Sequence, residues 1–122
     1  MILEEIKRGK IQNAISIYNG FIAKGMSIKL GNGDEYFVAG GDINLFRMDM
    51  YLKRAIKNGL STVNFVDLNG KPHVVSVAVF EEIINTTMDR VGYFWDNSVF
   101  PHLELIDSAT SESALLNVWF TI

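Results

Sequence analysis

A chain of 122 residues is long enough for one domain with a hydrophobic core and too short for two domains of ordinary size. Its 48% hydrophobic content excludes a disordered protein, and the absence of cysteine excludes disulfides, thiol catalysis and zinc–thiolate sites. The net charge of −3 combines 14 acidic with 11 dispersed basic residues, which argues against a nucleic-acid-binding protein.

The first predicted element is an N-terminal helix over residues 3–24. Ile11, Ile15, Tyr18 and Ile22 recur at three- and four-residue steps, the spacing of a buried helical stripe. Gly25 is a natural stop for this helix, because glycine readily adopts the left-handed conformation that ends helices.

A hairpin and a second helix are predicted next. Residues 27–30 and 35–38 read as strands on either side of a glycine-rich loop, and Gly40-Gly41-Asp42 should break the second strand and cap the helix. Asn58-Gly59 is typical of a helix end. The apolar stripe expected to face the core consists of Leu45, Met48, Leu52, Ala55 and Ile56.

Residues 62–76 predict a second hairpin followed by a third helix. Two apolar runs flank Asn69-Gly70, a pair that favours a type I′ turn because both central positions require positive φ. Pro72 should lie at a strand start or on a sheet edge. Ser76 then opens a helical pattern that we expect to end near Gly92.

The C-terminal part, residues 95–122, predicts a helical region and a terminal strand. Asp96 or Ser98 is expected to cap a fourth helix that contains Pro101 in its first turn. The alternation of residues 117–122 indicates a strand, which could pair with a neighbouring chain. The whole pattern predicts one α+β domain over 1–122: a small antiparallel sheet built from two hairpins, packed by about four helices, with a hairpin/helix core over 26–92.

Candidate chemistry is sparse. The two histidines, His73 and His102, are 29 positions apart, and their spacing requires no metal site. Asp67 begins a segment that lacks the remaining ligands of a calcium loop. We predict no catalytic, cofactor-binding or metal-binding residues, and a small enzyme or ligand-binding domain that uses His73, Asp67 and His102 stays as an alternative.

The aromatic residues near the C-terminus suggest an interaction surface. A dense apolar patch follows the predicted end of the third helix, and a second pair of rings lies near the end of the chain. These rings either fill the core or contact another copy or a partner, since exposed aromatics often mark interfaces. The interface hypothesis comprises Tyr93, Phe94, Trp95, Phe100, Trp119 and Phe120.

Several short motifs follow one another along nearly the whole chain. They are Lys10-Ile11-Gln12 with Tyr18, Tyr36-Phe37-Val38, Ala55-Ile56-Lys57-Asn58-Gly59, the run from Thr62 to Gly70, Val74-Val75-Ser76-Val77 with Phe80 and Ile83-Ile84, and the run from Leu105 to Ser111. In this order the motifs resemble a bacteriophage-borne domain of unknown function that occurs in tail-fibre, tail-assembly and virion-associated proteins.

The resemblance implies a non-enzymatic phage structural protein without a cofactor: a tail, tail-fibre or other virion-attached subunit, assembled in the host cytoplasm. Its expected partners are other phage structural proteins and copies of itself, with no nucleic acid and no membrane. No apolar run reaches the roughly 20 residues that cross a bilayer, and the N-terminus lacks the apolar core of a signal peptide. A tail-fibre assembly chaperone, absent from the mature particle, is the alternative within the same class.

Overall fold

The computed structural model describes residues 2–121. Its helices are α1 (Ile2–Ala23), α2 (Asp42–Lys57), α3 (Val77–Phe94), α4 (Phe100–Ser108) and the short α5 (Glu112–Leu115), and its strands are β1 (Met26–Lys29), β2 (Glu35–Val38), β3 (Thr62–Val66) and β4 (Pro72–Ser76). The predicted α+β class with two antiparallel hairpins is confirmed. The hairpins form two separate two-stranded sheets.

Two compact units make up the described chain. The terminal unit contains the residues up to Phe21 and those from Gly92 onward, and the hairpin unit runs from Ile22 to Val91. Both long helices at the boundary, α1 and α3, contribute residues to each unit.

The first hairpin pairs β1 with β2 from Met26–Val38 to Lys29–Glu35. Its loop closes where the Leu30 N–H donates to the Asp34 carbonyl at 2.9 Å. Gly33 has a φ of +92°, a conformation that side chains with a Cβ rarely adopt. The local turn chemistry therefore places this hairpin where the sequence predicts it.

The second hairpin has a different turn from the predicted one. Gly70 has a φ of +81°, but Asn69 does not have a positive φ, so the expectation of a type I′ turn is wrong. The Asp67 N–H donates to the Lys71 carbonyl at 3.0 Å, which leaves a three-residue loop over 68–70. Such loops require only one left-handed residue, which is Gly70 here.

The core of the hairpin unit lies under the inner faces of both hairpins. Phe80 is fully buried, and its ring centroid lies 5.4 Å from that of Phe65 on β3. The Leu68 N–H donates to the Phe37 carbonyl at 2.9 Å and so connects the second hairpin to β2. The buried members of this core include Ile28, Val38, Met48, Leu52, Val63, Ile83 and Ile84.

Helix α2 matches its predicted range but differs in two details. Gly41 is its N-cap residue, and Asp42 is the first helical residue and makes no side-chain cap bond. Ile56, expected on the buried stripe, is 59% exposed, because the buried face of α2 follows Met48 and Ala55 and turns Ile56 away. The C-terminal end is as expected, with Gly59 at a φ of +65°.

The chain stays helical far beyond the predicted end of the third helix. Gly92 lies inside α3 without a positive φ, and a π-helical turn (Trp95–Val99) joins α3 directly to α4. The Phe100 N–H donates to the Trp95 carbonyl five residues earlier. Neither Asp96 nor Ser98 caps a helix, because the backbone here never leaves helical geometry.

The prediction of a terminal strand over residues 117–122 is also wrong for the described residues. Ser111 caps the short helix α5 by accepting the Ala114 N–H at 3.3 Å. Residues 118–121 then have no regular structure, and Ile122 lies outside the described residues. The alternating pattern reflects packing against the chain itself, since Phe120 is buried and Trp119 is exposed.

Candidate functional site

Two of the predicted interface rings take part in an internal aromatic cluster of the terminal unit. Phe94 stacks on Tyr18 with ring centroids 5.9 Å apart, and its ring lies 4.9 Å from that of Phe21. Trp95 meets Tyr18 edge to face at 5.2 Å. These contacts leave Phe94 and Trp95 half-buried. Their rings hold α1 against the end of α3 and the π-helical turn.

Three other predicted rings face solvent. Tyr93 is 71% exposed, Trp119 is 64% exposed and Phe100 is 48% exposed. The Lys10 ammonium lies 3.4 Å from the centroid of the Trp119 ring, a cation–π contact that orients the indole. Lys7 adds a second link to this region by donating to the Asp107 carbonyl at 2.7 Å.

The sixth predicted residue, Phe120, is buried and lies 5.2 Å from the His102 ring. Burial, followed by the nearby Lys10 ammonium, lowers the pKa of His102, so this ring stays neutral at physiological pH. His102 therefore acts as a packing residue for the C-terminal segment. The exposed aromatic set, as used below, consists of Tyr93, Phe100 and Trp119.

The hairpin unit brings together two residues of the alternative enzyme hypothesis. His73 Nε2 donates to Asp67 Oδ2 at 2.8 Å, and both side chains are largely buried. The His73 ring stacks on Phe65 at 5.0 Å and meets Tyr36 edge-on at 5.1 Å. The packing on two rings and the bond to a carboxylate fix the orientation of the imidazole.

The carboxylate of Asp67 also accepts hydrogen bonds from backbone N–H groups of the turn. Its Oδ1 accepts the N–H groups of Asn69 and Lys71 at 2.9 and 3.0 Å. The hydrogen bond from His73, followed by that from Lys71, lowers the pKa of Asp67 below its usual value. A shallow cavity of about 320 Å³ lies beside this pair and is lined in part by Ser27 and Lys71. No hydroxyl in residues 2–121 is hydrogen-bonded to His73, and the bonds that Asp67 accepts support the loop.

Two further properties concern the described residues only. Within 2–121, no group of three or more histidine, aspartate or glutamate side chains could hold a metal ion. None of the helices in the described part of the chain is long and apolar enough to cross a membrane.

An exposed apolar stripe on α2 was missed at the sequence level. Ile43, Phe46 and Met50 are each more than half exposed. They lie on the face opposite Met48 and Leu52, which are buried. The same three- and four-residue spacing that predicted the buried stripe also marks this second one, so the signal was present in the sequence.

Comparison of the chain with protein-family models, with curated proteins and with solved structures gives no significant match. The resemblance to the phage-borne domain stays a prediction based on the order of motifs. Function is therefore inferred from the residues and contacts of this chain.

Proposed function

We propose that the chain is a non-enzymatic bacteriophage structural protein, a tail, tail-fibre or other virion-attached subunit that acts through self-association and docking to other phage structural proteins. In this proposal it resides in the virion after assembly in the host cytoplasm. The order of its motifs supports the phage assignment, and the exposed aromatic set supports the mode of action.

The exposed aromatic set carries the proposal. Tryptophan and tyrosine are the residues most enriched among those that dominate binding energy, because a large rigid ring buries much area at low conformational cost. Tyr93 and Trp119 expose most of their surface in the isolated chain. Lys10 already orients the Trp119 ring, which reduces the ordering needed when a partner covers it.

A matched pair of tryptophans tests self-association. Trp119→Ala removes an exposed ring, and Trp95→Ala removes a half-buried ring that packs on Tyr18. Analytical ultracentrifugation of the wild type should show an oligomer, and Trp119→Ala should weaken its association by roughly 30-fold, as for a typical interface anchor. Trp95→Ala should instead lower the free energy of unfolding by about 2 kcal/mol, measured by urea denaturation.

Two outcomes would count against this proposal. A wild-type chain that stays monomeric at millimolar concentration would rule out self-association. Detection of the chain in infected cells but not by mass spectrometry of the purified virions would favour the assembly chaperone. Tail or capsid genes next to the coding sequence are expected under both versions of the phage assignment.

A further inference from the structure

One edge of the second hairpin has no partner in the described structure. Backbone hydrogen bonds lie at both ends of the β3–β4 ladder: the Asp67 N–H donates to the Lys71 carbonyl, and the Val77 N–H donates to the Ser61 carbonyl. Because antiparallel pairs alternate between bonded and non-bonded positions, the N–H and C=O groups of Thr62, Asn64 and Val66 point away from β4. No hydrogen bond within residues 2–121 satisfies them.

A groove runs along this free edge of β3, and α2 forms its other wall. A hollow of about 400 Å³ is lined by Asn64 and Val66 on β3 and by Met48 and Tyr51 on α2. A second hollow of about 150 Å³ continues it past Tyr51 and Asn64. The five residues of β3 span about 17 Å, the length of a short peptide strand.

The α2 wall carries unpaired positive charge. Arg47 lines the larger hollow and Arg54 lines the smaller one, and both side chains are exposed. Neither guanidinium makes a hydrogen bond or an ion pair with the described residues, whereas the Lys53 ammonium on the same helix is paired with Asp49 at 2.7 Å. The two arginines are seven residues apart, about 10.5 Å along the helix, so both can contact one extended ligand.

We propose that the groove between α2 and β3 binds an extended acidic peptide segment of a partner protein, which adds to β3 as a third strand. The outward backbone groups of Thr62, Asn64 and Val66 supply the main-chain pairing, as in other cases of strand addition. Arg47 and Arg54 select carboxylates on the peptide by charge-assisted hydrogen bonds. The site lies in the hairpin unit and is independent of the exposed aromatic set.

The other strand edges are less suited to this role. On β4, Pro72 occupies an outward-facing position and has no N–H to offer. On the first hairpin, the outward carbonyl of Ser27 accepts the Arg90 guanidinium, and that of Phe37 accepts the Leu68 N–H. Natural proteins cover or blunt edges that are not used for binding, and β3 is left open.

A second copy of the chain is a poorer occupant than an acidic peptide. Edge-to-edge pairing of two β3 strands would bring Arg47 and Arg54 of both copies to one seam. Like charges opposite each other destabilise a strand pair, and this seam has no described acidic side chain except Asp67, which is committed to its turn. Charge complementarity therefore favours a partner segment that carries carboxylates.

The test uses a defined peptide of alternating valine and glutamate (acetyl-Thr-Val-Glu-Val-Glu-Val-Thr-amide) with a fluorescent label. Binding to the whole chain is followed by anisotropy, and amide hydrogen exchange is followed by NMR. Saturable binding is expected, with slower exchange at Asn64 and Val66. A peptide with lysine in place of glutamate, and one with N-methyl groups on alternate residues, should both bind much more weakly.

Two proline variants form a matched pair. Asn64→Pro removes an N–H on the open edge, and Val74→Pro removes the equivalent outward N–H of β4. Asn64→Pro should weaken peptide binding by at least about fivefold, the value of one net hydrogen bond, and Val74→Pro should bind as the wild type does. Arg47→Glu and Arg54→Glu change exposed helix positions and leave the strand unaltered. Each of these charge reversals should also weaken binding of the glutamate peptide.

Several results would overturn the proposal: no saturable binding to the wild type, equal binding by the Asn64→Pro and wild-type chains, or equal binding of the lysine and glutamate peptides. If Asn64→Pro does not fold, the two charge reversals decide the outcome, because unchanged binding in both would also overturn it. Self-association that is lost in the charge reversals or in folded Asn64→Pro would identify a second copy as the occupant instead.

Discussion

The two hairpins of this chain are alike in their strands and differ at their edges. Both are antiparallel, short and closed by a loop with one left-handed glycine. In the first, the outward carbonyls of Ser27 and Phe37 accept hydrogen bonds from Arg90 and Leu68. In the second, the outward groups of β3 have no partner among the described residues. Strand pairing is thus a local property, whereas the use of an edge depends on what the rest of the fold places beside it.

The largest effect is expected where the second hairpin rests on the core. Phe80→Ala removes a fully buried ring that contacts Phe65, and it should lower the free energy of unfolding by about 3–5 kcal/mol. The measurement is urea denaturation followed by circular dichroism. Val74→Ala, on the exposed face of the same hairpin, is the control and should change stability by at most about 0.5 kcal/mol. Similar losses in both variants would show that the hairpin does not depend on this core.

The turn glycines should be equally important in both hairpins. Gly33→Ala and Gly70→Ala each force a Cβ into the left-handed region and should each cost about 1–2 kcal/mol, measured by thermal unfolding. Gly9→Ala is the control, because Gly9 lies in α1 with open space around its Cα and a helical alanine is favoured. A neutral Gly70→Ala would mean that the second loop readily adopts another conformation.

A smaller effect should distinguish the two edges. Arg90→Met keeps the aliphatic stem but removes the donor to Ser27, and it should cost about 1 kcal/mol. Amide exchange in β1 and β2 should become faster, while exchange in β3 and β4 stays unchanged. Lys29→Met is the control, because the Lys29 side chain lies on the same hairpin without a partner in the described chain. It should leave both the free energy of unfolding and the amide exchange unchanged. Faster exchange in both hairpins would show that they do not respond as separate elements.

The smallest effect concerns the stability of the second hairpin at acid pH. The hydrogen bonds from His73 and then Lys71 lower the pKa of Asp67 in the folded chain, so the ionised carboxylate stabilises the fold above its unfolded pKa of about 3.9. This contribution is lost as the pH falls through the folded pKa. The difference in urea midpoint between wild type and Asp67→Asn should therefore be larger near neutral pH than at about pH 3. A difference that is independent of pH would contradict this account.

Prediction from sequence succeeded where short-range rules decide the structure. Both hairpins, the range of α2 and the start of α3 after Ser76 follow from turn glycines, apolar spacing and side-chain acceptors. It failed at Gly92, because a glycine without positive φ does not end a helix and the π-helical turn lets the chain continue through Trp95.

In the candidate sites too, the sequence predicted which residue types are present, and only the packing decided which of them contact one another. The aromatic composition of the C-terminal part predicted a set of rings, but only packing separates Trp95, which contacts Tyr18, from Trp119, which faces solvent. The pairing of Asp67 with His73 follows the hairpin register, yet the sequence alone named these two residues only in the alternative enzyme or ligand-binding hypothesis and did not predict their hydrogen bond. The groove between α2 and β3 has no sequence motif at all, because it joins a helix face to a strand edge.

By itself, the sequence determined the α+β class, the order of the elements from α1 to α3 and the two hairpins, since these depend on periodicity and on residues such as Gly33 and Gly70 that act within a few positions. Tertiary structure alone decided which rings are exposed, which strand edge stays unpaired and where the terminal segment packs. Those properties depend on contacts between residues distant along the chain, such as Arg90 with Ser27 and Lys10 with Trp119, and no local pattern encodes them.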